Sequence, residues 1–204
     1  MKETTAKKKF VWNMAGSLCN SLSSMLLLII VNRISGESRG GFFALAYSTA
    51  QLLFSVGGFE IRPVQSTDIK NKFTFNQYFT SRMLNCIIML ICMIGYIVVN
   101  GYTGVEALTV FWILGYRMVE AVADVYSGLF QQRERIDISG KEMLMRSGIS
   151  TITFTIILWL TDNLLYAAMT LTLTSLVIML FYDLHMKKYF EPTPVHLEWN
   201  CLLY

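Results

Sequence analysis

The segment ILGYRMVEAVADVYSG, residues 113–128, carries three charged side chains inside a stretch that is otherwise apolar enough to cross a membrane. Arg117, Glu120 and Asp124 are separated by three and four residues, so on a helix they share one face. A charge at the bilayer centre costs roughly 2.5 to 3.5 kcal/mol on insertion scales. We therefore expect these side chains to face protein or water.

Two kinds of chemistry suit these residue types. A guanidinium binds phosphate oxygens through two parallel hydrogen bonds, so Arg117 is a candidate contact for an anionic substrate. A carboxylate in a low-dielectric cavity can exchange a proton near neutral pH, so Glu120 and Asp124 are candidates for coupling to a proton or a sodium ion. The alternative is structural: Arg117 and Glu120 form an intrahelical ion pair that neutralises itself and packs against a neighbouring helix.

A second polar row lies in the first apolar segment, where residues at helical spacing are small or polar: Asn13, Gly16, Ser17, Asn20 and Ser24. Small residues at this spacing let membrane helices approach closely, which favours a packing role for Gly16 and Ser17. Asparagine costs more to bury, and Asn13 and Asn20 are therefore kept as candidate substrate contacts.

Composition indicates the elements that must position these residues. Of 204 residues, 54% are hydrophobic and 15% are charged, which is typical of a membrane protein. The apolar residues form six blocks, each about long enough to cross ~30 Å of hydrocarbon: 10–32, 41–61, 83–100, 107–130, 143–160 and 164–184. The sequence thus predicts an all-α fold with a six-helix transmembrane lobe over residues 10–185, a short N-terminus at 1–9 and a tail at 186–204.

The basic residues predict the orientation. Of the 17 Lys and Arg residues, fourteen lie before the first block, in the second and fourth connectors, or after the sixth block, when Arg146 at the start of the fifth block is counted with the fourth connector. Two lie in the first connector, none in the third or fifth, and Arg117 lies within a block. By the positive-inside rule, both termini are predicted to be cytoplasmic.

Several chemistries find no support in the sequence. The four cysteines, Cys19, Cys86, Cys92 and Cys201, show no CxxC spacing, and the two histidines lie at or beyond the end of the last block. A phosphate-binding GxxxxGK[ST] motif is missing, so ATP is not expected to drive this chain directly. We expect no catalytic residues, metal, cofactor or nucleic-acid partner.

Longer segments carry a family resemblance. VNRISGESRGGFFALAYSTAQLLFSVGGFEIRPVQSTD, residues 31–68, resembles the first loop and second helix of polysaccharide and O-antigen flippases of the Wzx type. These flippases belong to the multidrug/oligosaccharidyl-lipid/polysaccharide exporter superfamily. The segments FNQYFTSR and YRMVEAVADVYSGLFQQRERIDISGKEMLMR agree, and the resemblance extends to about residue 190. The implied fold is the N-terminal six-helix lobe of a two-lobe transporter.

The resemblance implies a transporter and not an enzyme. Its cargo would be an undecaprenyl-pyrophosphate-linked oligosaccharide, moved across the bacterial cytoplasmic membrane for the synthesis of cell-surface polysaccharide. The pyrophosphate needs cations, and Arg62, Arg82 and Arg146 at a basic cytoplasmic mouth would join Arg117. Positive-inside topology and anionic lipid head groups also account for the mouth arginines.

Members of this family have two lobes, whereas this sequence ends after a short tail with Pro192 and Pro194. We therefore expect a truncated or split carrier, whose second lobe comes from another chain or from a homodimer. On its own, such a lobe would turn Arg117, Glu120 and Asp124 toward lipid.

Three other functions stay open at this point. A cation-coupled multidrug exporter would keep the fold, although Arg117 argues against a cationic cargo. A membrane enzyme would need a catalytic cluster near the surface, and the acidic residues of the connectors are dispersed among basic ones. A non-transporting partner subunit would fit the short chain.

Overall fold

The computed structural model describes residues 5–57, 61–68 and 72–198, and every regular element in these ranges is helical. The all-α class is thus confirmed. In chain order the helices are α1 (Ala6–Gly57), α2 (Ile61–Thr67), α3 (Phe75–Val99), α4 (Gly104–Gln132), α5 (Ile136–Thr161), α6 (Leu164–Ile178), a π-helical turn (Met179–Asp183) and α7 (Leu184–Phe190).

Helix α1 consists of two arms that fold back on each other. Gly36 has a positive φ of 83°, a conformation that glycine adopts without the steric penalty of a Cβ, and the helix breaks there. The hydroxyl of Tyr47 donates a hydrogen bond to Ser24 Oγ at 3.0 Å. In one straight helix these residues would be about 34 Å apart. Residues 6–35 and 37–57 therefore form a helical hairpin.

Among the described residues, four helical segments are long and apolar enough to cross a membrane: Ala6–Ser55, which spans both arms of α1, then Phe75–Val99, Ile136–Thr161 and Leu164–Phe190. The last of these runs through α6, the π-helical turn and α7. Helix α4 has the length but carries Arg117, Glu120 and Asp124, in addition to Glu106 in its first turn. That all six blocks cross the membrane stays a prediction.

Helix α4 is the central element of the bundle. It packs against α1, α2, α3, α5 and α6. Its apolar residues Val119 and Val125 are buried on the side away from the charges. Arg117 is 3% exposed and Glu120 6% exposed. The expectation that an isolated lobe turns Arg117 and Glu120 toward lipid is wrong, because the surrounding helices enclose both, whereas the side chain of Asp124 is 20% exposed.

Side-chain contacts define two ends of the bundle. At the first, here called the terminal end, Lys9 Nζ donates to the carbonyl of Glu134, and Asn76 Nδ2 donates to the carbonyl of Pro194. At the other, here called the hairpin end, Arg39 pairs with Asp162. The two arms of α1 and helices α3 to α6 run between these ends. The orientation of the two ends in the membrane stays a prediction.

A continuous apolar core fills the half of the bundle near the hairpin end. Its members come from both arms of α1 and from helices α3 to α6, and they include Leu27, Val31, Phe43, Ala46, Met93, Ile113, Leu114, Phe154, Leu158 and Leu171. A smaller apolar cluster around Phe75, Tyr126 and Phe130 lies near the terminal end. On α4, Arg117 and Glu120 lie between residues of these two clusters, Leu114 of the first and Val125 of the second.

Candidate functional site

The polar side chains inside the bundle form one group, here called the ion-pair cluster. It joins five helices and consists of Asn20 from α1, Arg62 from α2, Arg82 from α3, Arg117, Glu120 and Asp124 from α4, and Glu142 and Arg146 from α5. On α4 and α5 the members are three or four residues apart, so each helix presents them on one face. The cluster begins near the middle of α4 and extends toward the terminal end.

Glu120 is the best-paired carboxylate of the cluster. It forms an ion pair with Arg117, and it accepts a hydrogen bond from Asn20 Nδ2 at 3.0 Å. Arg146 Nη2 lies 3.9 Å from Glu120 Oε1, the same oxygen that accepts from Asn20. Two cations and an amide therefore compensate one buried charge, which is what keeping a carboxylate ionised away from water requires.

Arg117 is held from two sides. Its guanidinium carbon lies 4.4 Å from the centre of the Tyr47 ring, a cation–π contact, and the Tyr47 hydroxyl is fixed by Ser24. On its other side, Arg117 pairs with Glu120 on the next turn of the helix. The structural alternative, an intrahelical Arg117–Glu120 pair, is thus present, although Asn20 and Arg146 extend it into a network.

Asp124 forms the more open part of the cluster. It accepts hydrogen bonds at 3.0 Å from Arg62 and at 3.0 Å from Arg82. The side chain of Arg82 is 2% exposed, that of Asp124 20% and that of Arg62 27%. Of the three, Arg62 is therefore the most accessible to a ligand.

Glycine explains how α2 comes close enough to supply Arg62. A Cβ built on Gly128 of α4 would overlap the side-chain oxygen of Gln65 on α2. Gln65 is 1% exposed, because this short helix packs directly against α4. A larger residue at position 128 would displace Gln65 and, with it, the neighbouring arginine.

A pocket of about 180 Å³ opens among these side chains. It is lined by Asn20, Phe54, Arg62, Glu120, Asp124, Ser127, Met143 and Arg146. This volume suits a phosphate-sized group and is too small to enclose an oligosaccharide. In the part of the chain that the structure describes, no three His, Cys, Asp or Glu residues are grouped to hold a metal ion.

The predicted site residues fall into three positions. Asn20, Arg62, Glu120 and Asp124 line the pocket, and Arg82 and Arg117 lie buried behind it. Asn13 lies apart from the cluster, where α1 crosses α5.

At that crossing, a Cβ on Gly140 would overlap the backbone of Trp12 and Asn13. A Cβ on Gly16 would likewise overlap the carbonyl oxygen of Gly140. Small residues thus let the two backbones touch, which supports the packing role predicted for Gly16.

The open basic mouth predicted at Arg62, Arg82 and Arg146 is only partly present. Arg82 and Arg146 are each 2% exposed, because α3 begins at Phe75 and α5 at Ile136, several residues before the predicted spans. Arg146 Nε donates to Glu142 Oε1 at 2.5 Å, inside the bundle. Glu142 was assigned to a connector, and its four-residue spacing from Arg146 was the signal that could have indicated a pair.

Comparison with known proteins identifies the family. A family model described as "Polysaccharide biosynthesis protein" matches residues 6–198, so the chain belongs to that family. The family resemblance predicted from the sequence is confirmed, as are membrane helices in a protein of polysaccharide biosynthesis and transport. Curated proteins and solved structures give no match.

Proposed function

We propose that this member of the polysaccharide biosynthesis protein family moves a lipid-linked oligosaccharide across the bacterial cytoplasmic membrane. The cargo is an undecaprenyl-pyrophosphate-linked repeat unit, and the chain supplies one six-span lobe with both termini in the cytoplasm. A second lobe forms the opposite wall of the path. The observation that carries this proposal is a pocket lined by arginine within a bundle of membrane helices.

The charges of the cluster suit a pyrophosphate. Four arginines face three carboxylates, Glu120, Asp124 and Glu142, so the cluster has one positive charge in excess. Arg62 lies at its accessible edge and is bound only through Asp124 among the ion pairs of the described residues. A pyrophosphate presents more negative charge than one carboxylate and can compete for this guanidinium through paired hydrogen bonds.

The size of the pocket determines which part of the substrate it can hold. Its volume of about 180 Å³ accommodates a phosphate group, whereas the glycan needs a wider, hydrated path outside the pocket. The polyprenyl chain stays in the bilayer, against the apolar side chains that the helices expose, such as Ile91, Trp159 and Phe181. In this mechanism the lobe binds the pyrophosphate, which links the lipid to the sugar.

A binding assay with undecaprenyl pyrophosphate tests whether Arg62 contacts the pyrophosphate. The purified protein in detergent should bind this lipid, and Arg62→Gln should weaken binding by about ten- to hundredfold, since a hydrogen bond to a charged group contributes roughly 1.5 to 3 kcal/mol. The matched control is Arg39→Gln, which also removes an arginine 3.0 Å from an aspartate but at the hairpin end. Equal affinity of both variants and the wild type would overturn the role of Arg62.

Transport is tested in liposomes. The protein is reconstituted with its second lobe, or alone at a density that permits self-association, and with a fluorescent undecaprenyl-pyrophosphate-linked oligosaccharide. A membrane-impermeant quencher should then reach more of the label with time than in protein-free vesicles. Export of a cationic drug with no movement of the glycolipid would instead favour a multidrug exporter.

A further inference from the structure

Asp183 is a buried carboxyl within the last membrane helix. It ends the π-helical turn Met179–Asp183, and it lies inside the apolar span Leu164–Phe190. Asp183 is 1% exposed, and neither of its carboxyl oxygens accepts a hydrogen bond from any residue that the structure describes. An ionisable residue at such a position is by default a candidate for function.

The π-helical turn is a second, independent feature of this position. Single π-helical turns inside α-helices are rare, and they occur frequently at functional sites. Here the turn lies between α6 and α7, and it widens the helix by one residue at this point. Asp183 sits at the junction between them.

The charged and titratable groups around Asp183 come from two neighbouring helices. Glu142 and Arg146 of α5 and Tyr126 of α4 interact with it electrostatically. Glu142 and Arg146 are already paired with each other at 2.5 Å, so their charges largely cancel. On its own helix, Tyr182 is adjacent, and Lys187 donates to the carbonyl of Thr193 instead.

This environment distinguishes Asp183 from Glu120 and Asp124. Each of those carboxylates has two arginines within 4.0 Å. An ionised carboxylate without such partners is costly to bury, and the usual solution is to bind a proton. Arg146 Nη1 also lacks a hydrogen-bond partner among the described residues, so this donor is not committed elsewhere.

We propose that Asp183 is the proton-binding carboxyl of this lobe, and that it, rather than Glu120 or Asp124, exchanges the proton during transport. When Asp183 loses its proton to water, the resulting carboxylate attracts the free Nη1 of Arg146. Arg146 then moves away from Glu120, which lines the pocket. Proton release thus changes the charge that the pocket offers to a ligand. The movement of Arg146 and the change in pocket charge rest on the proposed function, whereas the protonation of Asp183 does not.

Infrared spectroscopy tests the proton directly, without transport. The protein in detergent at neutral pH should show the carbonyl-stretch band of a protonated carboxylic acid. Asp183→Asn should remove this band, Asp183→Glu should restore a shifted one, and the exposed control Asp162→Asn should leave it unchanged. A missing band in the wild type, or one that disappears in Glu142→Gln and persists in Asp183→Asn, would overturn the proposal.

Transport supplies the second arm of the test. If wild-type liposomes flip the labelled lipid-linked oligosaccharide, a pH gradient should accelerate flipping, and Asp183→Asn should lose this acceleration while it still binds undecaprenyl pyrophosphate. A gradient response that persists in Asp183→Asn would contradict the coupling step. Wild-type liposomes that flip nothing, combined with the infrared band, would count against the proposed function and leave the proton on Asp183.

Discussion

In the half of the bundle near the hairpin end, the helices meet through the apolar core. In the half near the terminal end, they meet through the ion-pair cluster. Both halves draw on the same helices, so the difference lies in which residues each helix carries along its length. Helix α4 illustrates this, since Ile113 and Leu114 are 0% exposed one turn before Arg117. The half near the hairpin end is filled by apolar side chains, whereas the half near the terminal end contains a pocket that can take a charged ligand.

Two arginine–aspartate pairs sharpen the comparison. Arg39 lies 3.0 Å from Asp162 at the hairpin end, and Arg62 lies 3.0 Å from Asp124 near the terminal end. The side chains of the first pair are 52% and 60% exposed, whereas those of the second are 27% and 20% exposed. An exposed pair contributes about 0 to 1 kcal/mol, because water competes for both charges. Burial, more than distance, therefore separates a surface contact from a candidate site.

Removal of Arg117 should produce the largest loss of stability. In Arg117→Ala, Glu120 keeps Asn20 and a distant Arg146 but loses its closest cation, and breaking a buried pair typically costs about 3 to 5 kcal/mol. Unfolding in detergent, followed by circular dichroism against denaturant, measures the change. The exposed control Arg39→Ala should lose no more than about 1 kcal/mol. A similar small loss in both variants would mean that the two halves do not differ as described.

Gly16→Ala should have the next largest effect. The new Cβ would overlap the backbone of Gly140, which cannot rotate away as a side chain can, so we expect a loss of about 1 to 3 kcal/mol. Gly95 on α3 is the matched control, since a Cβ there meets nothing within 4 Å. Gly95→Ala should be neutral or slightly stabilising, because alanine favours helix over glycine. If Gly16→Ala is neutral too, the close crossing of α1 and α5 is wrong.

Chemical labelling tests which parts of the cluster are accessible. With native cysteines replaced, cysteines introduced at Arg62 and Asp124 should react with a membrane-impermeant thiol reagent, because both positions line the pocket. Cysteines at Val119 and Val125, buried on the other side of α4, should stay protected. Protection at all four positions would argue against an open pocket, whereas reaction at Val125 would contradict the central position of α4.

The sequence predicted the class and the polar face of α4 because these depend on composition and on helical spacing within one segment. It misplaced Arg82 and Glu142, which were assigned to connectors outside the spans. A hydropathy profile treats a charge as a reason to end a span, since it contains no information on partners from other helices. In the bundle, Arg82 finds Asp124 and Glu142 finds Arg146, so both charges are tolerated inside. Asp183 was overlooked for the same reason, as it lay at the predicted end of the last span.

The smallest effect is expected at the two ends of the bundle, where aspartates stabilise the connections. Asp68 accepts hydrogen bonds from the backbone N–H groups of Lys72 at 2.9 Å and Phe73 at 3.0 Å, and these lower its pKa. Asp68 is only partly buried, so the contribution to stability is small and decreases with salt. At the hairpin end, the carboxyl group of Asp162 contacts two side chains among the described residues. Its Oδ1 accepts a hydrogen bond from Ser35, and its Oδ2 pairs with Arg39.

The pH dependence of Asp68→Asn should show this effect. A carboxylate with a lowered pKa in the folded state stabilises the protein above the unfolded value of about 3.9, and this stabilisation disappears as the pH falls through the lower folded value. Wild type should therefore be more stable than Asp68→Asn at neutral pH, and the two should converge in acid. Denaturant unfolding of both proteins across that range measures the difference. A difference that stays constant with pH would show that the carboxylate charge is not what holds this connection, and that the amide of asparagine fails there for steric reasons.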